Sequence, residues 1–245
     1  MHRFFIKSII KNTKQVILPE NLRHQLINVL RLSVGDKITL FDNSGWEYIT
    51  ELKEIKKDNL IGFIIEKQKN SSEPPIKITL YQPILKSDKF EFILQKGTEL
   101  GVTNFVPIFC DRSIKRWNDD QILTKKYPRW KKIITESSEQ CQRGIIPELN
   151  KPLDFTKAIT YPNKNMSKFI ALIDNKNSKL KQIPQSNINI EIGLFTGPEG
   201  GFTKEEIELS KANSIKPISL GNRILRAETA TIILITAILI KFDEI

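Results

Sequence analysis

Residues 68–75, QKNSSEPP, divide this chain of 245 residues into two stretches of different hydrophobic grammar, and that change constrains the fold more than any other feature. Before it, RFFIK (3–7), QVIL (15–18), KITLF (37–41), WEYITELKEI (46–55) and LIGFIIE (60–66) read as short strands, with turn signals at DNSG (42–45) and KKDN (56–59). One helix interrupts them, with Pro19 at its first position and Leu22, Leu26, Val29 and Leu30 as its apolar stripe. The pattern predicts a small antiparallel β barrel carrying one helix over 1–72. After the polar, proline-ended linker, strands alternate with helices. IKITLYQPIL (76–85) leads into a helix capped by Asp88 and Glu91 and ending near Gly101; NFVPIF (104–109) precedes a helix from Pro128 to Gln142, closed by Gly144. KFIALID (168–174), INIEIGLF (188–195) and KPISL (216–220) complete a mostly parallel α/β domain over 73–245.

Charge and cysteine usage narrow the chemistry. Thirty-eight Lys and Arg against 28 Asp and Glu give a net charge of +10, which fits a polyanionic partner and equally fits a genome-wide bias toward Lys, Ile and Asn. MHRFFIKSII lacks the apolar run and cleavage site of a secretory signal, and ATIILITAILI (230–240) is too short to span a bilayer, so a cytoplasmic location is expected. Cys110 and Cys141 form no CxxC, and the histidines are His2 and His24, so no metal site is expected and catalysis rests on carboxylates, Arg, Lys, hydroxyls or a bound cofactor.

Five of the eleven glycines fall between 193 and 221, three of them in GPEGGF (197–202). The alternation of Ile188, Ile190, Ile192 and Leu194 marks a strand before this loop. Thr203 and Glu206 form a capping box after it, and Phe202 can staple onto Ile207. The glycines therefore occupy a strand-to-helix turn at the carboxyl edge of a sheet, where α/β proteins bind ligands. Neither a GK[ST] ending nor GxGxxG is present, and Pro198 removes a backbone donor, so the loop suits a ligand held without a phosphate cradle; taken alone it reads sooner as a tight turn that simply packs. LGNRILRAETA (220–230) makes a second turn from a strand into an apolar helix. Two such turns from neighbouring strands would wall one pocket.

GPEGGF and LGNRILRAETA resemble the two carboxyl-terminal signatures of the 16S rRNA (uracil-N3) methyltransferases, the RsmE family of the SPOUT superfamily. HQLINVLRL (24–32), LQKGTELG (94–101), RS (112–113), RW (129–130) and ESSEQCQR (136–143) agree in order, so the resemblance spans nearly the whole chain. Departures are Gly97 in place of alanine, which should weaken its helix by about 1 kcal/mol, Gln25 in place of a second histidine, and Cys141-Gln142 in place of serine-glycine. The resemblance implies a PUA-like β barrel, a SPOUT domain with a C-terminal trefoil knot, S-adenosylmethionine as methyl donor, 16S rRNA of the small ribosomal subunit as substrate at a uridine near the decoding centre, and a homodimer. The apolar run 230–240 fits burial at a dimer interface or in one subunit's core.

Uridine N3 carries an imide proton that a base must take, while charge grows on the flanking carbonyl oxygens. Arg226 is the candidate to hold that charge. Glu99 and Glu228 are the candidate bases, although each also reads as an ion-paired structural carboxylate. Leu172, Thr196, Gly197, Pro198, Glu199, Gly200, Gly201, Leu220, Gly221, Arg223, Ile224 and Leu225 are the expected donor-binding set, with Leu172 equally readable as core and Glu199 as a loop or dimer contact. Arg3, Arg23, His24, Arg31, Arg112, Arg116 and Arg143 form the expected RNA-binding set, with Trp117 available to stack on a base and Trp130 read as buried. A SPOUT enzyme acting on ribose 2′-oxygen or another base, and a non-catalytic RNA-binding assembly factor, are the alternatives.

Overall fold

The computed structural model describes residues 1–10, 13–56, 60–113, 122–160, 165–172 and 191–245. They form two compact units, Met1–Glu73 with Ser138–Ile146, and Pro74–Ser137 with Pro147–Ile245.

In the first unit, β1 (Arg3–Phe5), β2 (Gln15–Ile17), β3 (Lys37–Phe41), β4 (Trp46–Ile55) and β5 (Leu60–Lys69) form a sheet of order β1-β3-β4-β5-β2. β1 runs parallel to β3 while the other pairs are antiparallel, so the sheet is mixed where an antiparallel one was expected. The 31 residues between those two strands allow the crossover that a parallel pair requires. Gln68 and Lys69 continue β5 rather than joining the linker. Phe4, Ile6, Leu26, Ile38, Leu40 and Leu52 are core residues on the inner face.

Pro19 is the N-cap of α1 (Glu20–Arg23), one position earlier than expected, and the helix continues as a π-helical turn over His24–Val29. Leu22 and Leu26 are buried, but the wider π turn rotates Val29 outward to 61% exposure.

The segment Ser138–Ile146 returns to this unit through polar contacts. Glu139 accepts the Phe5 N–H at 2.9 Å, and Glu73 receives Arg143 at 2.8 Å together with the N–H groups of Gly144 and Ile145 at 3.0 Å each. Arg3 pairs with Glu47 at 2.9 Å and donates to the Arg143 carbonyl at 3.0 Å. Burial would raise the Glu47 carboxyl, but hydrogen bonds from Arg3, Asn70 and Gln68 outweigh it and hold the group below its usual range.

The second unit is built on β6 (Lys77–Pro83), β7 (Val102–Phe109), β8 (Glu148–Leu149), β9 (Leu153–Asp154), β10 (Met166–Leu172), β11 (Glu191–Phe195) and β12 (Lys216–Ser219). The order is β12-β10-β11-β6-β7-β8, with β9 also on β7, and every pair is parallel. Both faces are apolar, as a parallel sheet covered on two sides requires. Ile78, Leu80, Ile192 and Leu194 are fully buried on one face, and Tyr81 stacks on Phe195 at 4.1 Å on the other.

Among the described residues, five α-helices accompany the sheet, α2 (Ser87–Glu99), α3 (Tyr127–Gln140), α4 (Phe155–Thr160), α5 (Lys204–Ala212) and α6 (Ala227–Lys241), and a π-helical turn at Ile122–Lys126 leads into α3. Lys86, not Asp88, occupies the N-cap of α2; Asp88 lies inside the first turn, where its charge meets the positive helix end, and Glu91 pairs with Arg129 at 2.7 Å instead of closing a capping box. Gly97 lies so close to the buried Phe105 ring that a Cβ there would come within 2.8 Å of it, so alanine would cost packing as well as gain propensity. α3 is followed by Gln142 at φ +65°, a left-handed backbone that favours glycine, where Gly144 was expected to close the helix. Trp130 is buried against Phe90 at 4.5 Å, as expected.

Candidate functional site

All strands of the second sheet run the same way, so the ends of β12, β10 and β11 lie side by side at one edge. The two glycine turns leave that edge from β11 and β12. These strands are not neighbours, contrary to expectation; β10 lies between them and ends at Leu172. The three strand ends frame a cavity of about 660 Å³, within the size range of small-molecule sites.

Of the expected donor-binding residues, Leu172, Gly197, Pro198, Glu199, Gly200, Gly201, Leu220, Gly221, Arg223, Ile224 and Leu225 line this cavity, and Arg226 joins them. Thr196 does not. It is fully buried behind the wall, donating to Gln82 Oε1 at 2.8 Å. The same oxygen accepts the Thr231 hydroxyl of α6 at 2.8 Å, so one amide on β6 ties the root of the first turn to the helix that follows the second. Gln82, Thr196 and Thr231 are all buried, which makes that tie energetically consequential.

The first turn is fixed from several sides. Gly201 N–H donates to the Pro198 carbonyl at 2.9 Å, closing a β-turn in which Gly201 adopts φ +67°. Thr203 accepts the Glu206 N–H at 3.1 Å while Glu206 accepts the Thr203 N–H at 2.8 Å, the expected capping box, and the other Glu206 oxygen takes the Asp111 N–H at 3.0 Å. Phe202 and Ile207 share one apolar cluster, as the staple requires. Arg112, expected on the RNA surface, donates to the Gly200 carbonyl at 3.0 Å and lines the cavity.

In the second turn Gly221 adopts φ +103°, Arg226 occupies the N-cap of α6 without a side-chain cap bond, and Ile224 is 82% exposed at the cavity mouth. The carboxylates separate. Neither lines the cavity: Glu228, in the first turn of α6, lies 3.6 Å from the cavity residue Lys89, while Glu99 pairs with Lys96 at 2.9 Å near the far end of α2. Helix α2 runs back from the carboxyl edge, which carries its last turn away from the two loops. Burial, with the Glu206 charge, pushes the Cys110 thiol far up, so it offers no thiolate nucleophile.

The expected RNA set also divides. Arg3 and Arg143 are buried in ion pairs within the first unit and present no cation to a ligand. His24 and Arg31 are exposed, Arg23 is half-buried and donates to the Lys56 carbonyl, and Arg116, with Trp117, lies outside the described residues. Composition carries no signal for Lys89, Lys211 and Ala171 in the cavity or for Gln82 behind it, because each becomes local only through the strand order. Among the described residues no group of three His, Cys, Asp or Glu is arranged to hold a metal ion, and no helix is long and apolar enough to cross a membrane.

A family model described as an RNA methyltransferase domain matches residues 72–239, and one described as an RNA methyltransferase PUA domain matches 20–65. The chain is 35% identical to ribosomal RNA small subunit methyltransferase E of Buchnera aphidicola (subspecies Schizaphis graminum), over 99% of this chain and 97% of that protein. It is 32% identical to the protein of the same name from Bacillus subtilis, over 97% and 96%. The crystal structure of the Neisseria gonorrhoeae ribosomal RNA small subunit methyltransferase E bound to S-adenosyl methionine superposes with a TM-score of 0.89, at 31% identity over 99% of this chain and 98% of that one. A putative methyltransferase of Legionella pneumophila, in complex with the same cofactor, gives 0.88 at 29% identity, over 98% and 97%.

Proposed function

The chain belongs to the RNA methyltransferase family whose curated relatives are ribosomal RNA small subunit methyltransferases E, and from that premise we propose that it transfers a methyl group from S-adenosylmethionine to small-subunit ribosomal RNA, at N3 of a uridine near the decoding centre. The observation that carries the reading is the single cavity framed by the two glycine turns and the end of β10.

The residues present fit such a donor. Leu172, Pro198, Phe202, Ile224 and Leu225 give an apolar wall for a flat uncharged base, and the glycines let the main chain come close to it. S-adenosylmethionine supplies an electrophilic methyl group. The chain's own residues must take up the imide proton of the uridine and hold the charge that spreads onto its carbonyl oxygens. Arg226 is assigned to the second task, because its guanidinium, exposed at the cavity, makes no hydrogen bond or ion pair among the described residues. Glu228 is assigned to the proton in preference to Glu99, because its Oε2 is buried without a hydrogen-bond partner close to the cavity.

The first unit is assigned to RNA contact through His24, Arg31 and Arg23, joined by the exposed Trp46 with Lys67 over its ring at 4.6 Å. The partly exposed Ile233 and Ile240 on α6 support a homodimer that covers this helix.

The test is transfer of labelled methyl to small subunits and to naked 16S rRNA, followed by identification of the modified nucleoside. N3-methyluridine is expected; a 2′-O-methyl nucleoside would move the chain to another chemistry, and no transfer together with no donor binding would make it a non-catalytic factor.

A further inference from the structure

Lys89 stands in the second turn's path to the first. It belongs to the opening turn of α2, lines the cavity, and lies 3.6 Å from Glu199 of the first glycine turn and 3.6 Å from Glu228 at the start of α6. The two carboxylate oxygens are therefore at most about 7 Å apart, twice one arm. Neither contact is short enough to be a strong hydrogen bond, so the cation acts on both carboxylates through its charge. Its side chain is 26% exposed and that of Glu228 only 17%, which leaves that pair less screened than a surface one, whereas Glu199 is 38% exposed and forms the more screened arm.

The geometry points to Lys89 as a positioning residue, an electrostatic tie that holds the two donor-binding turns at their working separation. This inference rests on the reading of the cavity as the donor slot. Without the ammonium, two like charges stand within about 7 Å of each other and push the turns apart. With it, each carboxylate is held toward α2, and the orientation of Glu228 is fixed by a group that need not touch RNA or donor. Gln82 joins the same two elements at depth by neutral hydrogen bonds; Lys89 joins them at the rim by charge. The rim tie is the one a ligand meets.

A purely local structural role and a tie make different predictions for double variants. In wild type, Glu199→Gln removes one partner of Lys89 and weakens binding of S-adenosylhomocysteine, measured by calorimetry, by about twofold to threefold. Lys89→Met weakens it by about tenfold, because the carboxylates are left unopposed. Adding Glu199→Gln to Lys89→Met then improves binding, since it removes the repulsion. The reversal of sign is the signature. Binding by Lys89→Met equal to wild type, or a Glu199→Gln effect of the same sign in both backgrounds, overturns the tie. Should Lys89→Met fail to fold, Lys89→Arg carries the test: it is expected within about threefold of wild type, and a tenfold loss overturns the inference. Wild-type binding is measured first. No binding there overturns the slot reading and this inference together, whereas wild-type binding with an unmoved Lys89→Met overturns this inference alone.

Discussion

The two glycine turns share one cavity but differ in how they are held. The first has its root hydrogen-bonded to Gln82, its tip closed by a β-turn, its exit fixed by a capping box and its flank bound by Arg112. The second has Gly221 N–H on Ser219 Oγ at 3.3 Å, while its arginines make no side-chain bond among the described residues and Ile224 projects from it. A wall fixed in advance lowers the entropic cost of binding; a wall with free guanidinium groups keeps donors for the moment when charge develops. On the proposed function, the difference gives ligand placement to the first turn and the response to reaction to the second.

The largest expected effect comes from the second turn. Arg226→Ala should lower the turnover of methyl transfer by about 100- to 1000-fold, the usual loss of one donor to a developing oxyanion, with S-adenosylhomocysteine affinity within a few-fold of wild type. Steady-state kinetics beside calorimetry would check it; a loss confined to binding would erase the division of labour. Hydrogen exchange should show the same asymmetry. The amides of Gly201 and Thr203 are expected to be protected in the free protein, and those of 222–226 to gain protection only with donor bound. Equal protection of both turns in the free protein would mean the second is preformed too.

The tie beneath the turns comes next. Gln82→Leu leaves the Thr196 hydroxyl, and that of Thr231, without their shared acceptor, at a cost of about 1–3 kcal/mol for each buried polar group so stranded. Thr231 keeps its bond to the Ala227 carbonyl at 2.9 Å, so the loss falls mainly on Thr196 and the first turn. Urea unfolding should report it as a lower midpoint with an unchanged slope. A midpoint equal to wild type would show that the first turn stands without its root.

How much of this was legible in the sequence follows the range of each interaction. The capping box and staple at 202–207 were readable because their residues lie within one helical turn, and both are present. Each glycine turn was readable by itself for the same reason, as a strand end running into a helix start; their meeting was expected from neighbouring strands, which β11 and β12 are not. What was not readable is what lies across the sheet: β10 between β11 and β12, Gln82 under both turns, Lys89 at the rim. That Arg3 and Arg143, expected on the RNA surface, are engaged in buried ion pairs was not readable either, because the contact between Arg3 and the Arg143 carbonyl spans more than a hundred residues. The departure at Gln142 from the glycine that the family resemblance leads one to expect was visible; that this residue takes φ +65° was not.

The smallest expected effect concerns acid. Glu205, in the first turn of α5, has its carboxyl held below the usual value of 4.5 by its own backbone N–H, then by Thr203, with Arg112 adding a favourable charge. Its folded value lies under its unfolded one, so its contribution is fully present above about pH 4.5 and is lost as pH falls through the lower, folded value. The group is fully exposed, so the effect on global stability is slight, but its partners are the ones that hold the first turn. Donor affinity at constant ionic strength should therefore fall slightly more steeply below pH 4.5 in wild type than in Glu205→Gln, where the titrating group is gone. An acid limb of the same slope in both proteins would place the loosening elsewhere than in the first turn.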